Sequence, residues 1–152
     1  MSFKIRQANV TDVERVAPLF DQYRQFYFQA SNLDLARQFI QERLKNSDSV
    51  IFIAVNDDEN NKSALGFVQL YPSFSSVQAS CIWILNDLFI SETSRQSGVA
   101  KALLRHTKAF AISTGATEIT LSTAQGNHSA QKLYVAEGYE KDSQFLQFFL
   151  SL

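Results

Sequence analysis

The 152 residues of this chain predict a single mixed α/β domain. Three observations carry that reading. Apolar periodicity switches from helical spacing to strand-like runs and back. Three consecutive strands are joined by connections too short for crossover helices, which makes them an antiparallel meander. A later strand–helix–strand unit demands a parallel pairing with a right-handed crossover. The element order is strand, two helices, three strands, helix, strand, helix, strand, with no repeat, linker or low-complexity tract.

In order, Phe3, Ile5 and Gln7 alternate with Lys4 and Arg6 as a short first strand. Thr11 and Glu14 have capping-box spacing and predict a helix running towards Ala30. Its apolar side holds Val13, Val16, Leu19, Phe20, Tyr23 and Tyr27, and Pro18 predicts a kink or a later start. Ser31-Asn32 breaks that helix and caps a second, with Leu33, Ala36, Phe39, Ile40 and Leu44 at helical spacing. Strands follow at residues 50–55 and 65–71, separated by a polar turn from Asn56 to Lys62. Residues 72–78 read as a turn and 79–90 as a long third strand. Residues 99 to about 114 form a helix with Gly115 as its C′ residue. A strand at 118–123, a helix from Asn127 to Gly138 and a last strand at 144–150 complete the chain. Phe148-Phe149 breaks the alternation of that last strand, so both its faces are expected to be covered, by closing the sheet or pairing across a homodimer.

Composition excludes several classes. The chain is 45% apolar and 19% charged, too apolar for disorder, and its net charge of −1 with no basic block argues against a nucleic-acid partner. No apolar segment approaches the roughly 20 residues that span a bilayer, and residues 1–7 lack a signal-peptide core. Cys81 alone forms no intrachain disulfide, and its apolar run predicts a buried, inert thiol. His106 and His128 are too far apart, without carboxylates at ligand spacing, to predict a metal site. Neither enters the expected site, and a reducing cytoplasm is the expected location.

Arg95-Gln96-Ser97-Gly98-Val99-Ala100 is the segment richest in chemistry. It follows an apolar strand and opens a helix, and it carries no acidic residue. The first N–H groups of a helix lack intrahelical partners and sit at the positive end of its dipole. A phosphate or pyrophosphate can take those donors, here from Gln96 to Lys101, with Arg95 adding charge. Gly98 is expected to keep the approach open, where a side chain would block it. The segment matches neither the GxGxxG fingerprint nor a P-loop, which disfavours a nucleotide-binding module.

The element order and this loop together resemble the GNAT superfamily of N-acetyltransferases, whose signature is Arg or Gln, two residues, Gly, one residue, Gly or Ala. Asn86-Asp87-Leu88-Phe89-Ile90 before the loop, and Asn127 followed by Tyr134 and Gly138-Tyr139, extend the likeness over almost the whole chain. The stretch from Trp83 to Leu104 looks most similar to the polyamine (diamine) acetyltransferase branch. The resemblance implies a central mixed sheet of six to seven strands flanked by four helices. It implies acetyl-CoA as co-substrate, no metal, and acetyl transfer to an amine of a small molecule or peptide by direct attack in a ternary complex. A non-catalytic acyl-CoA sensor or assembly module is the alternative.

By the same resemblance, the backbone of Leu88 and Ile90, with Phe89 between them, serves the pantetheine arm beside a strand bulge, and Asn127 contacts coenzyme A. Tyr134 is the expected general acid for the departing thiolate, since an unperturbed tyrosine titrates near ~10; a core aromatic of the last helix, beside Leu133, is its other reading. Asp87 is the expected base, acting directly or through water; holding a cationic substrate or bonding a neighbouring loop are its other readings. A carboxylate near ~4 needs burial or a water chain for that work. Asn86 stands where the polyamine branch has a glutamate, and an amide cannot act as a base. Gln96 stands where relatives often have glycine. The acceptor amine is expected to meet Asp21, Tyr23, Arg24 and Tyr27, with Phe28 nearby, although core packing explains most of that cluster equally well.

Overall fold

The computed structural model describes residues 2–58 and 63–152, so the part of the predicted polar turn from Glu59 to Lys62 lies outside the described residues. The chain forms two compact units, Met1–Ser122 and Thr123–Leu152.

Among the described residues the first unit is a five-stranded sheet in the order β1-β2-β3-β4-β5 with three α-helices and two short 3₁₀ turns. Strands β1 (Phe3–Gln7), β2 (Val50–Asn56), β3 (Ala64–Ser75) and β4 (Ser80–Ile90) form the antiparallel meander. Strand β5 (Ile119–Leu121) pairs with β4 in parallel, Trp83 to Leu85 against Ile119 to Leu121, after the crossover through helix α3 (Val99–Ser113). The predicted turn at 72–78 is shorter than its sequence suggests. Pro72 pairs with Trp83 and the ladder continues to Ser75, since the cross-strand partners of this hairpin are set by β4.

Helix α1 (Val13–Phe26) starts from a different cap than predicted. Asn9 accepts from Thr11 N–H, and Asp12 returns a bond to Asn9 N–H, which makes a capping box over the 3₁₀ turn Val10–Asp12. The predicted Thr11–Glu14 box is displaced because Thr11 itself bonds Asn9. Pro18 lies inside the helix, which also stops short of Ala30. Phe28 turns left-handed (φ 67°), and Asp21 accepts from Ser31 Oγ at 2.7 Å and Asn32 N–H at 2.8 Å, drawing the chain back. Asn32 then caps helix α2 (Leu33–Asn46) through Leu35 N–H.

Both faces of the sheet are covered, as the uninterrupted apolar run of β2 requires. Val16, Leu19, Phe20, Ala36 and Ile40 of α1 and α2 pack with Ile51, Ile53, Val55 and Phe67. Phe52 points the other way, its ring 4.6 Å from His106 and 5.1 Å from Phe110 of α3. Cys81 corrects another expectation: it is exposed, because its position in β4 lies near the hairpin tip, beyond the helices.

The second unit holds helix α4 (His128–Ala136), capped by Asn127 and followed by Gly138 at φ 96°. Residues 144–150 form no strand, contrary to expectation, and their large apolar side chains are exposed. Among the described residues the sheet therefore has five strands, where six to seven were expected.

Candidate functional site

The site in the first unit is built where β4 leaves regular pairing. Gln69 faces Asp87, but the next residue, Leu70, faces Leu85, so Asn86 is an extra residue on β4. That is a β-bulge, invisible in the sequence because a bulge residue has no composition of its own. The side chain of Asn86 is exposed and donates to Asp87 Oδ1 at 2.7 Å. Its carbonyl accepts from the Tyr23 hydroxyl at 3.2 Å.

Asp87 points inward and is 2% exposed. Gln69 Nε2 donates to Asp87 Oδ2 at 2.6 Å, and Ser49 Oγ donates to Gln69 Oε1 at 2.8 Å. Burial raises the Asp87 pKa above the usual carboxylate value, opposed by bonds from Asn86, Gln69 and Tyr23. Reciprocally, burial and the nearby Asp87 charge push the Tyr23 hydroxyl far up, and the same two causes push Tyr71 up to about 12. Sequence reading missed Gln69, Ser49 and Tyr71. An amide inside the apolar run of β3 was the available signal.

Beyond the bulge the strand edge opens. β5 accompanies β4 only as far as Leu85, and among the described residues no strand flanks Asn86 to Ile90 on that side. Ser91 N–H donates to Leu65 O at 2.8 Å. Two-residue alternation therefore turns the N–H and C=O of Leu88 and Ile90 away from β3. Arg95 Nε reaches the Ile90 carbonyl at 3.3 Å, and its guanidinium carbon lies 5.6 Å from the Phe89 ring centre.

The loop then turns twice through left-handed backbone. Gln96 has φ 59° and Gly98 has φ 83°. Gln96 thus adopts, at a cost, a backbone turn that glycine takes without strain. A Cβ at Gly98 would meet nothing within 4 Å. Within the protein itself φ, not crowding, is what calls for glycine there. Ser97 Oγ bonds the carbonyl of buried Ser94 and holds the loop down. Gly98 caps α3 without a side-chain bond, and the first i→i−4 bond runs from Ala102 N–H to Gly98 O. The N–H groups of Val99, Ala100 and Lys101 precede that bond and have no intrahelical acceptor. Between Ser94 and Thr117 the chain has Arg95, Lys101, Arg105 and Lys108 and no acid. This is a cationic helix start that could hold a phosphate.

Gly66 positions it. A Cβ there would lie 2.6 Å from Ile90 Cδ1, 3.0 Å from Phe89 O and 3.3 Å from Val99 Cγ1. Only glycine lets β3, the end of β4 and the first residue of α3 approach so closely.

Of the expected acceptor residues, the structure joins Tyr23 and Asn86 to Asp87. Tyr27, partly exposed, packs edge-on against Tyr23 at 5.1 Å. Asp21 is engaged elsewhere, closing the α1–α2 loop. Arg24 Nη1 is buried without a hydrogen-bond partner, and Phe28 is exposed.

In the second unit, Asn127 Oδ1 accepts from Ala130 N–H at 3.3 Å, so its oxygen serves as a helix cap. Tyr134 lies within α4, its ring 5.8 Å from that of Tyr139. Tyr139 N–H donates to Tyr134 O at 3.0 Å, which closes the helix, and burial followed by Glu137 pushes the Tyr139 hydroxyl up to about 12. Among the described residues, no group of three or more His, Cys, Asp or Glu could hold a metal, and no helix is long and apolar enough to cross a membrane.

Comparison with known proteins gives the geometry its context. The acetyltransferase (GNAT) family model matches residues 14–139. The chain is 46% identical over 148 residues to an uncharacterized N-acetyltransferase, YhfO, of Bacillus subtilis, covering 97% of each. A crystal structure of a probable acetyltransferase superposes with a TM-score of 0.91 at 40% identity, covering 98% of this chain and 97% of that one. An aminoglycoside N-acetyltransferase solved with CoA shares the fold, with a TM-score of 0.80 at 24% identity, 99% of this chain and 95% of that one being covered.

Proposed function

This chain belongs to the acetyltransferase (GNAT) family, and on that premise we propose that it transfers the acetyl group of acetyl-CoA to a primary amine by direct attack in a ternary complex. The acceptor is a small, polyamine-like or other amine, or a peptide amino group. One observation carries the reading: the uncapped start of α3 follows, after the loop from Ser91 to Gly98, a strand edge whose backbone groups at Leu88 and Ile90 are turned from their neighbour. Such an edge suits the amides of a pantetheine arm, and such a helix start suits a pyrophosphate. We assign the diphosphate to the backbone from Gln96 to Lys101 with Arg95, and a further coenzyme A contact to Asn127. The family match runs from residue 14 to 139, which supports treating the chain as one catalytic domain.

In the proposed reaction the amine nitrogen attacks the thioester carbon, and the carbon–sulfur bond breaks as the tetrahedral centre collapses. The amine loses a proton to Asp87, through water, and the thiolate takes one from Tyr134. Burial makes Asp87 a stronger base than a free carboxylate, which suits that role. Tyr23, Arg24, Tyr27 and Asn86 are the proposed acceptor-facing residues. Asp21 is left out because its carboxylate already closes the α1–α2 loop. The proposed setting is the cytoplasm, the protein acting as a homodimer, with neither nucleic acid nor membrane as partner.

Thiol release from acetyl-CoA across an amine panel tests the activity, with thermal shift against acetyl-CoA and nucleoside triphosphates as the binding control. We expect stabilisation by acetyl-CoA alone and release with at least one amine class. Stabilisation without release from any amine would favour a sensor. In Asp87→Asn the acid limb of the pH–rate profile should vanish; an intact limb removes Asp87 as base.

A further inference from the structure

Ser49, Gln69 and Asp87 form a buried polar row on the sheet face that α1 and α2 cover. Two-residue alternation puts Gln69 on the face of Phe67, and Asp87 on the face of Phe89, both members of the apolar cluster under those helices. Ser49 immediately precedes β2. Burying an amide and a carboxylate among apolar side chains is costly unless each is bonded. Here each is. Gln69 is 0% exposed, yet Ser49 Oγ donates to its Oε1 at 2.8 Å, and its Nε2 donates to Asp87 Oδ2 at 2.6 Å. With Oε1 taken by Ser49, the nitrogen end of the amide faces the carboxylate.

Asp87 has this amide where a buried carboxylate ordinarily has a cation. Among the described residues no Lys, Arg or His forms an ion pair with it. The titratable groups that face it are Tyr23 of α1, with Tyr27 against that ring, and Tyr71 of β3. The Tyr23 and Tyr71 hydroxyls are both pushed up, so they stay neutral. Arg43 of α2 and Asp48, which act on Tyr71, are paired to each other at 2.8 Å. The second amide on Asp87, Asn86 Nδ2 at 2.7 Å from Oδ1, belongs to an exposed side chain on the bulge. The two oxygens therefore differ: Oδ2 is held from the interior, and Oδ1 lies on the side of an exposed neighbour. An amide NH₂ can only donate, so Gln69 stabilises the charge without competing for a proton.

We propose that Gln69 is the positioning residue for Asp87: locked by Ser49, its amide holds Oδ2 and leaves Oδ1 to take the proton that the acceptor amine gives up through water. This rests on Asp87 being the base of the proposed acetyl transfer.

Gln69→Met keeps the length of the side chain and removes the donor. A carbon-13 NMR titration of the Asp87 carboxyl should then have its midpoint about one to two pH units higher, the size of one hydrogen bond to a charged group. The acid limb of the pH–rate profile should move with it, while acetyl-CoA affinity, read by calorimetry, stays unchanged. Ser49→Ala should move both the same way by less. In the Gln69→Met background it should add nothing, because Ser49 acts only through Gln69. An Asp87 midpoint that stays put in either single variant, or shifts that add in the double variant, would overturn the proposal. Should Gln69→Met fail to fold, the midpoint in Ser49→Ala decides alone. A midpoint that moves while the limb stays would instead remove Asp87 as the base, so failure of the acetyl-transfer reading is told apart from failure of the Gln69 contact.

Discussion

The Tyr23 hydroxyl donates to the main-chain carbonyl of Asn86 at 3.2 Å, so α1 supplies the partner that this bulged residue cannot find in the ladder. Asn86 in turn holds Asp87 at 2.7 Å. A tyrosine on one helix thereby stabilises the irregularity that precedes the cationic loop.

Tyr23→Phe should cost about 1 kcal/mol, the usual worth of one hydrogen bond. Tyr23 also lowers the Asp87 pKa against its burial. Its loss should raise that pKa further, moving the acid limb of kcat/KM to higher pH. Urea melts and a pH–rate profile measure both; a stationary limb separates Asp87 from the rate.

Tyr134→Phe removes only a hydroxyl. If that hydroxyl protonates the leaving thiolate, turnover should fall by about 10²–10⁴, the usual range for a general acid. Acetyl-CoA affinity, read by calorimetry, should change little. Equal turnover in the variant ends the assignment.

Gly66→Ala and Gly98→Ala act through different physics. At Gly66 a methyl meets Ile90 at 2.6 Å, and overpacking of that kind costs about 1–3 kcal/mol. At Gly98 space is open but φ is 83°, a strain of about 1–2 kcal/mol for alanine. Both melting temperatures should fall. Acetyl-CoA should bind more weakly to Gly98→Ala, whose relaxation re-aims the helix-start N–H groups; unchanged affinity would place the diphosphate elsewhere.

Asp12 should govern acid stability. Arg6 bonds both its oxygens, at 2.7 and 2.8 Å, and Asn9 N–H adds a third bond. These bonds, opposed by burial, lower its pKa. The stabilisation is complete above the ordinary carboxylate pKa of about 4 and is lost as pH falls through the lowered folded value. Asp12→Asn should cost about 1–3 kcal/mol at neutral pH, discounted for the partly exposed Arg6, and should flatten the acid limb of stability. Denaturant melts from neutral to acid pH check the sign.

Much of this was legible in the residues. Turn residues and apolar spacing located the four α-helices and the meander, because those signals act over a few neighbours, although the cap that starts α1 is not the one expected. The loop from Arg95 to Ala100 was legible for the same reason: a helix start advertises itself by a glycine, by the absence of acids and by the apolar run before it. Asp87 could be singled out as a carboxylate in an apolar strand. Its surroundings could not, since Gln69 and Ser49 reach it from other strands.

The sequence by itself determined the mixed sheet, the anion-suited helix start and the family. Each rests on local periodicity and short motifs. Tertiary structure alone decided the bulge at Asn86, the burial that raises the Asp87 pKa, the engagement of Asp21 with the α1–α2 loop, and the exposure of Cys81. It also decided that residues 144–150, strand-like by composition, form no strand among the described residues. These outcomes turn on register, on where helices stop covering a sheet, and on which edge has a partner, and none of those is a property of neighbouring residues.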